Sequence, residues 1–195
     1  MRRKNRHMSK KMDILDIYLS DYLLTFSGRE ISRRLQVSPQ AALNALQELA
    51  DEGVLAFQQE GRNKMYHLLL KDLRTRLFLA MAETSRSRDF LNNFELRSVV
   101  ETVLPWAHAV IVFGSFAQGK QKENSDLDLV VIGVRDKEAV KKSLLVFPRE
   151  VNAEFVSWEE FSGTVRKKNA LAVEIKKNHL VYGNVFKVVE VYCTL

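Results

Sequence analysis

The chain has 195 residues, 46% of them hydrophobic, enough to bury one large or two small cores, which excludes a disordered chain. A formal net charge of +6 and a pI near 9.4 favour an anionic partner such as a nucleotide or a nucleic acid. The single cysteine, Cys193, excludes an internal disulfide framework, and no apolar run approaches the roughly 18 residues of a membrane span, so a cytoplasmic protein that does not enter a membrane is expected.

The basic start, residues 1–11, reads as a solvated tail, with a nucleic-acid arm as its alternative. It lacks the apolar core of a signal peptide. Residues 13–25 carry Ile14, Ile17, Tyr18 and Leu24 at helical spacing, and Ser27-Gly28 is expected to end that helix. A short second helix follows over 29–35, with Ile31 and Leu35 inward. Val37-Ser38-Pro39 is a turn in which Ser38 is a good N-cap and Pro39 suits the first helical position. The third helix stops at Gly53. Residues 54–59 and 64–70 then read as two strands around a hairpin centred on Gly61.

In this order, residues 12–70 resemble a winged helix-turn-helix. The marks are the small-residue turn at Val37-Ser38, the spacing of Leu43, Leu46 and Leu49, and the run Asp51-Glu52-Gly53-Val54-Leu55 leading into the hairpin. The resemblance implies a third helix in the DNA major groove, with Gln40, Asn44 and Gln47 turned to base edges. That helix has no Lys or Arg. Positive charge sits instead on the second helix (Arg29, Arg33, Arg34) and at the hairpin tip (Arg62, Lys64), where phosphates would be met. The alternative is a module that docks proteins or dimerises. Winged helices that bind DNA are often dimers, which makes a homodimer one expectation.

Residues 71–104 read as a helical connector holding the domain boundary. Its apolar face is marked by Leu73, Leu77, Phe78 and Met81, then Phe90, Leu91 and Phe94, then Val99, Val100 and Val103, with a break near Ser85. From residue 105 to 195 strands and helices alternate: strand 107–113, a short helix, strand 127–133, a helix, strand 151–158, two helices, and an ending open between helix and strand. The chain is therefore α+β with two domains.

The stretch FGSFAQGKQKENSDLDLVV, from Phe113 to Val131, carries the chemistry. In a strand Asp126 and Asp128 project from one face, while Leu127, Leu129 and Val131 supply the buried one. Two adjacent carboxylates repel, and a divalent cation relieves them. Mg²⁺ is typically held by one or two carboxylates plus substrate phosphates. Gly114 lets a ligand approach the backbone closely, and Ser115 opens a helix whose free N–H groups suit a phosphate.

This pattern resembles the signature of the polymerase-β-like nucleotidyltransferases, in particular the minimal nucleotidyltransferase family: Gly-Ser, ten residues, then Asp-x-Asp. Here Gly114-Ser115 is followed by residues 116–125 and then Asp126-Leu127-Asp128, with Ala117, Gly119 and Ser125 also in the family's places. The resemblance covers residues 105–190. It implies a small mixed sheet with helices on one side. It also implies transfer of a nucleoside monophosphate from an NTP, ATP by preference, to an acceptor hydroxyl, with two Mg²⁺ ions about 3.5–4 Å apart. Asp126 and Asp128 would be metal ligands, and Gly114 and Ser115 would hold the phosphates. The family adds a third carboxylate from a later strand; Glu154 in VNAEFV is the candidate, and an exposed strand glutamate is the competing reading. Relatives often pair with a helical HEPN toxin and place AMP on one of its tyrosines, so a HEPN-type partner is implied here as well. Two rivals remain: a transcription regulator that only senses nucleotide, and a transferase acting on RNA or a small molecule. Lys120, Lys122 and the run Arg166, Lys167, Lys168 read as solvated faces, and no two histidines have zinc-ligand spacing. By resemblance, KKNHLVYGN is structural.

Overall fold

The computed structural model describes residues 2–167 and 170–194; Lys168 of the basic run lies outside the described residues. The chain divides into two compact units, one reaching Ala82 and including Thr194, the other running from Glu83 to Cys193. Among the described residues, no helix is long and apolar enough to cross a membrane.

The first unit contains α1 (Arg2–Tyr18), β1 (Phe26–Ser27), α2 (Gly28–Leu35), α3 (Pro39–Asp51), β2 (Leu55–Glu60), β3 (Asn63–Leu68) and the start of α4 (Leu73–Phe90). The three strands form an antiparallel sheet ordered β1-β3-β2. Ser38 caps α3 through the Ala41 N–H, and Gly53 follows that helix with φ +70°. Glu60 pairs with Asn63 across the Gly61-Arg62 turn, as the hairpin pattern required. Ile14, Tyr18, Ile31, Leu46 and Leu49 are fully buried in this unit. The Tyr18 hydroxyl donates to the Tyr66 carbonyl at 3.0 Å.

Two expectations fail here. The helix begins at Arg2 and ends at Tyr18, so the basic segment is drawn into α1. Lys11 is buried, and its amino group meets Glu52 at 2.7 Å and Glu48 at 3.2 Å on α3. Ser27 does not end a helix but starts one. Its hydroxyl accepts the Glu30 N–H while the Glu30 carboxylate accepts the Ser27 N–H, a reciprocal cap. Of the three leucines whose spacing marked α3, Leu46 and Leu49 are buried and Leu43 is 42% exposed.

The second unit contains the end of α4, then α5 (Phe94–Val103), β4 (Ala109–Phe113), α6 (Gly114–Ala117), β5 (Leu127–Ile132), α7 (Lys137–Leu144), β6 (Val151–Val156), α8 (Trp158–Lys167), α9 (Ala170–Lys177), β7 (Leu180–Gly183) and α10 (Val185–Cys193). The ambiguous ending is thus helical, and Cys193 is buried in it. The sheet is mixed, ordered β6-β5-β4-β7, with β5 and β6 parallel and the other pairs antiparallel. One face packs Val110, Val112, Leu127, Leu129 and Val131 with residues of α5, α6 and α7. Ile111, Val130, Ile132 and Val181 point the other way and are buried too. Both faces are therefore covered, where the resemblance implied helices on one side; α8 packs on β6 and α10 on β7.

The connector breaks at Leu91–Asn93, not near Ser85, because the Asn93 side chain caps α5 by accepting the Leu96 N–H at 3.0 Å. Leu73, Leu77, Met81 and Phe94, read as inward, are exposed. The buried stripe of α4 is partly polar: Thr75, Leu79, Ala82, Glu83 and Ser87. Its polar members are paired. Glu83 lies 2.9 Å from His179 Nε2, and Ser87 Oγ accepts the Val181 N–H at 2.8 Å. A hydrophobic pattern cannot show a stripe whose burial rests on hydrogen bonds.

Candidate functional site

β4 and β5 are adjacent antiparallel strands, and Phe113 pairs with Asp128. The chain leaves β4 at Phe113 and turns at Gly114 into α6, so the turn lies beside Asp128. Gly114 has φ +69°, and a Cβ there would stand 2.6 Å from Asp128 Oδ2. Glycine suits the left-handed backbone, and any side chain here would displace the Asp128 carboxylate. Ser115 follows, half-buried at the first turn of α6. This is why a Gly-Ser turn precedes the aspartate pair: the two halves of the motif come together through strand pairing.

Asp126 stands just before β5 and is exposed; Asp128, inside it, is half-buried. Asn152 Nδ2 donates to Asp126 Oδ2 at 3.5 Å and to Asp128 Oδ1 at 3.4 Å, so both carboxylates flank one amide group. Leu127, Leu129 and Val131 are fully buried, as the alternation required.

Glu154 shares this face, but the strand register sets it opposite Val130, while Asn152 stands opposite Asp128. Two residues of strand are about 6.6 Å, and Glu154 is exposed. Among the described residues, no group of three or more His, Cys, Asp or Glu side chains is gathered as a metal site. The structure thus brings Asp126, Asp128, Gly114 and Ser115 together and leaves Glu154 outside that cluster. The aspartate pair itself suits a divalent cation: two oxygen donors side by side, open to solvent on Asp126 and backed by a buried strand.

Two residues of the site gave no signal in the sequence. Asn152 is one. Arg149 is the other: its guanidinium meets Glu95 Oε1 at 2.6 Å, donates to the carbonyls of Lys122 and Ser125, and lies 5.1 Å over the Phe116 ring. It pins the loop that delivers Asp126 to α5 and α6. Ser125 adds a local turn, its Oγ accepting the Lys122 N–H at 2.8 Å. Lys120, Lys122, Arg166 and Lys167 are exposed.

In the first unit, Gln40, Asn44 and Gln47 share the exposed side of α3, and Arg33, Arg34, Arg62 and Lys64 are exposed. The amides are engaged locally, Gln40 Nε2 with Asn44 Oδ1 at 2.7 Å and Gln47 Nε2 with Asp51 Oδ1 at 2.8 Å. Arg34 stacks over Phe26 and Lys64 over Phe57. A cleft of about 290 Å³ opens between the starts of α2 and α3 and the hairpin tip; Arg29, Arg62 and Lys64 are among its lining residues. The Glu30 carboxylate is held below its ordinary range by the Ser27 backbone N–H and then the Ser27 hydroxyl.

Residues 95–190 match the family model of the nucleotidyltransferase domain, and that span contains every element of the Gly114–Asp128 arrangement. No curated protein and no solved structure matches the chain.

Proposed function

We propose that the second unit is a Mg²⁺-dependent nucleotidyltransferase that moves AMP from ATP to an acceptor hydroxyl, and that the first is a winged helix that binds DNA. The observation that carries the enzyme reading is the fit of Gly114 against the Asp128 carboxylate, within a span that matches the nucleotidyltransferase domain. Asp126 and Asp128 would hold Mg²⁺, whose charge, when bound, offsets that of the triphosphate and its pyrophosphate leaving group. Gly114 lets the triphosphate approach the backbone, and Ser115 supplies a hydroxyl and a helix-start N–H to it. The acceptor oxygen forms a bond to the α-phosphorus as the bond to the β-phosphate oxygen breaks. The acceptor proton leaves to solvent. The chain's own contribution is positioning and exclusion of other geometries. A tyrosine of a HEPN-type toxin is the acceptor favoured by resemblance, which would make the protein an antitoxin, and the basic hairpin tip suits operator phosphates.

A second reading is favoured by Asn152: a winged-helix regulator whose transferase unit senses nucleotide and turns over slowly. Calorimetric titration of each of the four NTPs with Mg²⁺, beside the double variant Asp126→Asn/Asp128→Asn, tests the site. Metal-dependent binding of ATP, lost in the double variant, is expected. ATP labelled at the α-phosphate then separates the readings: label on a protein supports the transferase, label on RNA or a small molecule moves the acceptor, and binding without label supports the sensor.

A further inference from the structure

We propose that Asn152 limits this site to one divalent cation, bound together with the nucleotide; the inference rests on the nucleotidyltransferase reading of Asp126 and Asp128. Directly paired residues of neighbouring strands project from the same face, and the residue paired with Asp128 is Asn152. A third ligand facing the aspartates from β6 would come from this position. The carboxylate that follows on the same face, Glu154, stands one pair further on, opposite a buried valine.

The orientation of the amide is fixed by its partners. Ionised carboxylates only accept hydrogen bonds, so the NH₂ group of Asn152 faces Asp126 and Asp128, and its carbonyl oxygen turns away. At 3.4 and 3.5 Å these contacts are longer than ordinary N–H···O hydrogen bonds, and the amide acts on the two carboxylates as an electrostatic latch. The latch partly relieves the repulsion between the two carboxylates without a cation. It adds no negative charge and presents donors where a second cation would need a donor oxygen. Two carboxylates and the nucleotide phosphates suffice for one Mg²⁺, whereas a second ion beside it must overcome like-charge repulsion without a third carboxylate. Asn152 is therefore a positioning residue, and its identity sets how many ions the site can hold.

Counting bound Mn²⁺ by electron paramagnetic resonance, alone and with a non-cleavable ATP analogue, tests this on the full chain. The wild type should bind one Mn²⁺ per chain with the analogue. Asn152→Asp should bind two, and should tighten Mn²⁺ binding in the absence of nucleotide at least tenfold through the added charge. Asn152→Ala should remain at one, since removing the latch creates no ligand. Circular dichroism shows whether each variant keeps its fold; should Asn152→Asp lose it, the wild-type and Asn152→Ala counts still decide. Two ions on the wild type overturn the role of Asn152 and leave the nucleotide site standing. Neither Mn²⁺ nor analogue on wild type or Asn152→Asp overturns the nucleotide site and the inference with it.

Discussion

Gly114 and Gly119 separate backbone strain from site geometry. Both have positive φ, +69° and +63°. An alanine at either position costs roughly 1–2 kcal/mol for the left-handed backbone. At Gly119 the nearest atom to the new Cβ would be Phe90 Cε1 at 3.9 Å, an ordinary contact. At Gly114 it would be Asp128 Oδ2 at 2.6 Å, so the carboxylate must move. Gly114→Ala and Gly119→Ala should therefore lower the urea midpoint by similar amounts, while only Gly114→Ala abolishes metal-dependent nucleotide binding by calorimetry. Equal retention of binding in both would mean that Asp128 does not have to stay where the turn holds it. Residue spacing alone pointed to this pairing of glycine and aspartate, because both lie in one short string. It could not point to Asn152. Alternation along VNAEFV shows that Asn152 and Glu154 share a face, but not which of them faces Asp128. That depends on the register of two strands joined through α7, and is fixed by packing.

At the level of elements, the start of α2 shows how a local signal can be overruled in reading and still decide the structure. Ser27 and Glu30 are spaced as a capping box, but Gly28 after an apolar run looks like a helix end. The reciprocal bonds between Ser27 and Glu30 settle it as a start. Ser27→Ala should cost about 1 kcal/mol in urea denaturation. The acid side follows from Glu30, whose folded pKa is lowered mainly by the Ser27 N–H. A lowered carboxylate contributes stability that is fully present above its unfolded pKa and is lost as pH falls through the folded value. Glu30→Gln should lower stability at neutral pH and flatten the profile below about pH 4.5, read by thermal unfolding at a series of pH values. The two strands that resisted reading share one property. β1 has two residues and β7 four, too few for an alternation, and both exist because a longer strand, β3 or β4, offers them an edge. The strongly patterned elements, α3, the hairpin and β4 to β6, stand where their periodicity set them.

For the whole molecule, the division into two compact units makes the two proposed activities separable. A net charge of +6 gives any polyanion some attraction, so bare affinity for DNA decides little. Salt dependence is more telling. Each phosphate contact contributes a slope of about −0.9 to log K against log salt concentration. Arg62 and Lys64 are exposed at the hairpin tip, beside the cleft that Arg29 also lines. If they meet phosphates, Arg62→Ala/Lys64→Ala should make the slope shallower by about 2 and weaken binding to all sequences alike. Gln40→Ala/Asn44→Ala should leave the slope unchanged and reduce only the preference for the best site, because amides read base edges and carry no charge. Asp126→Asn/Asp128→Asn should leave both quantities as they are in the absence of nucleotide, while abolishing metal-dependent nucleotide binding. Fluorescence anisotropy with a labelled duplex over a salt series measures all three variants. A slope that ignores Arg62 and Lys64 would remove the phosphate role from the hairpin tip and leave α2, α3 and the hairpin as a surface for protein.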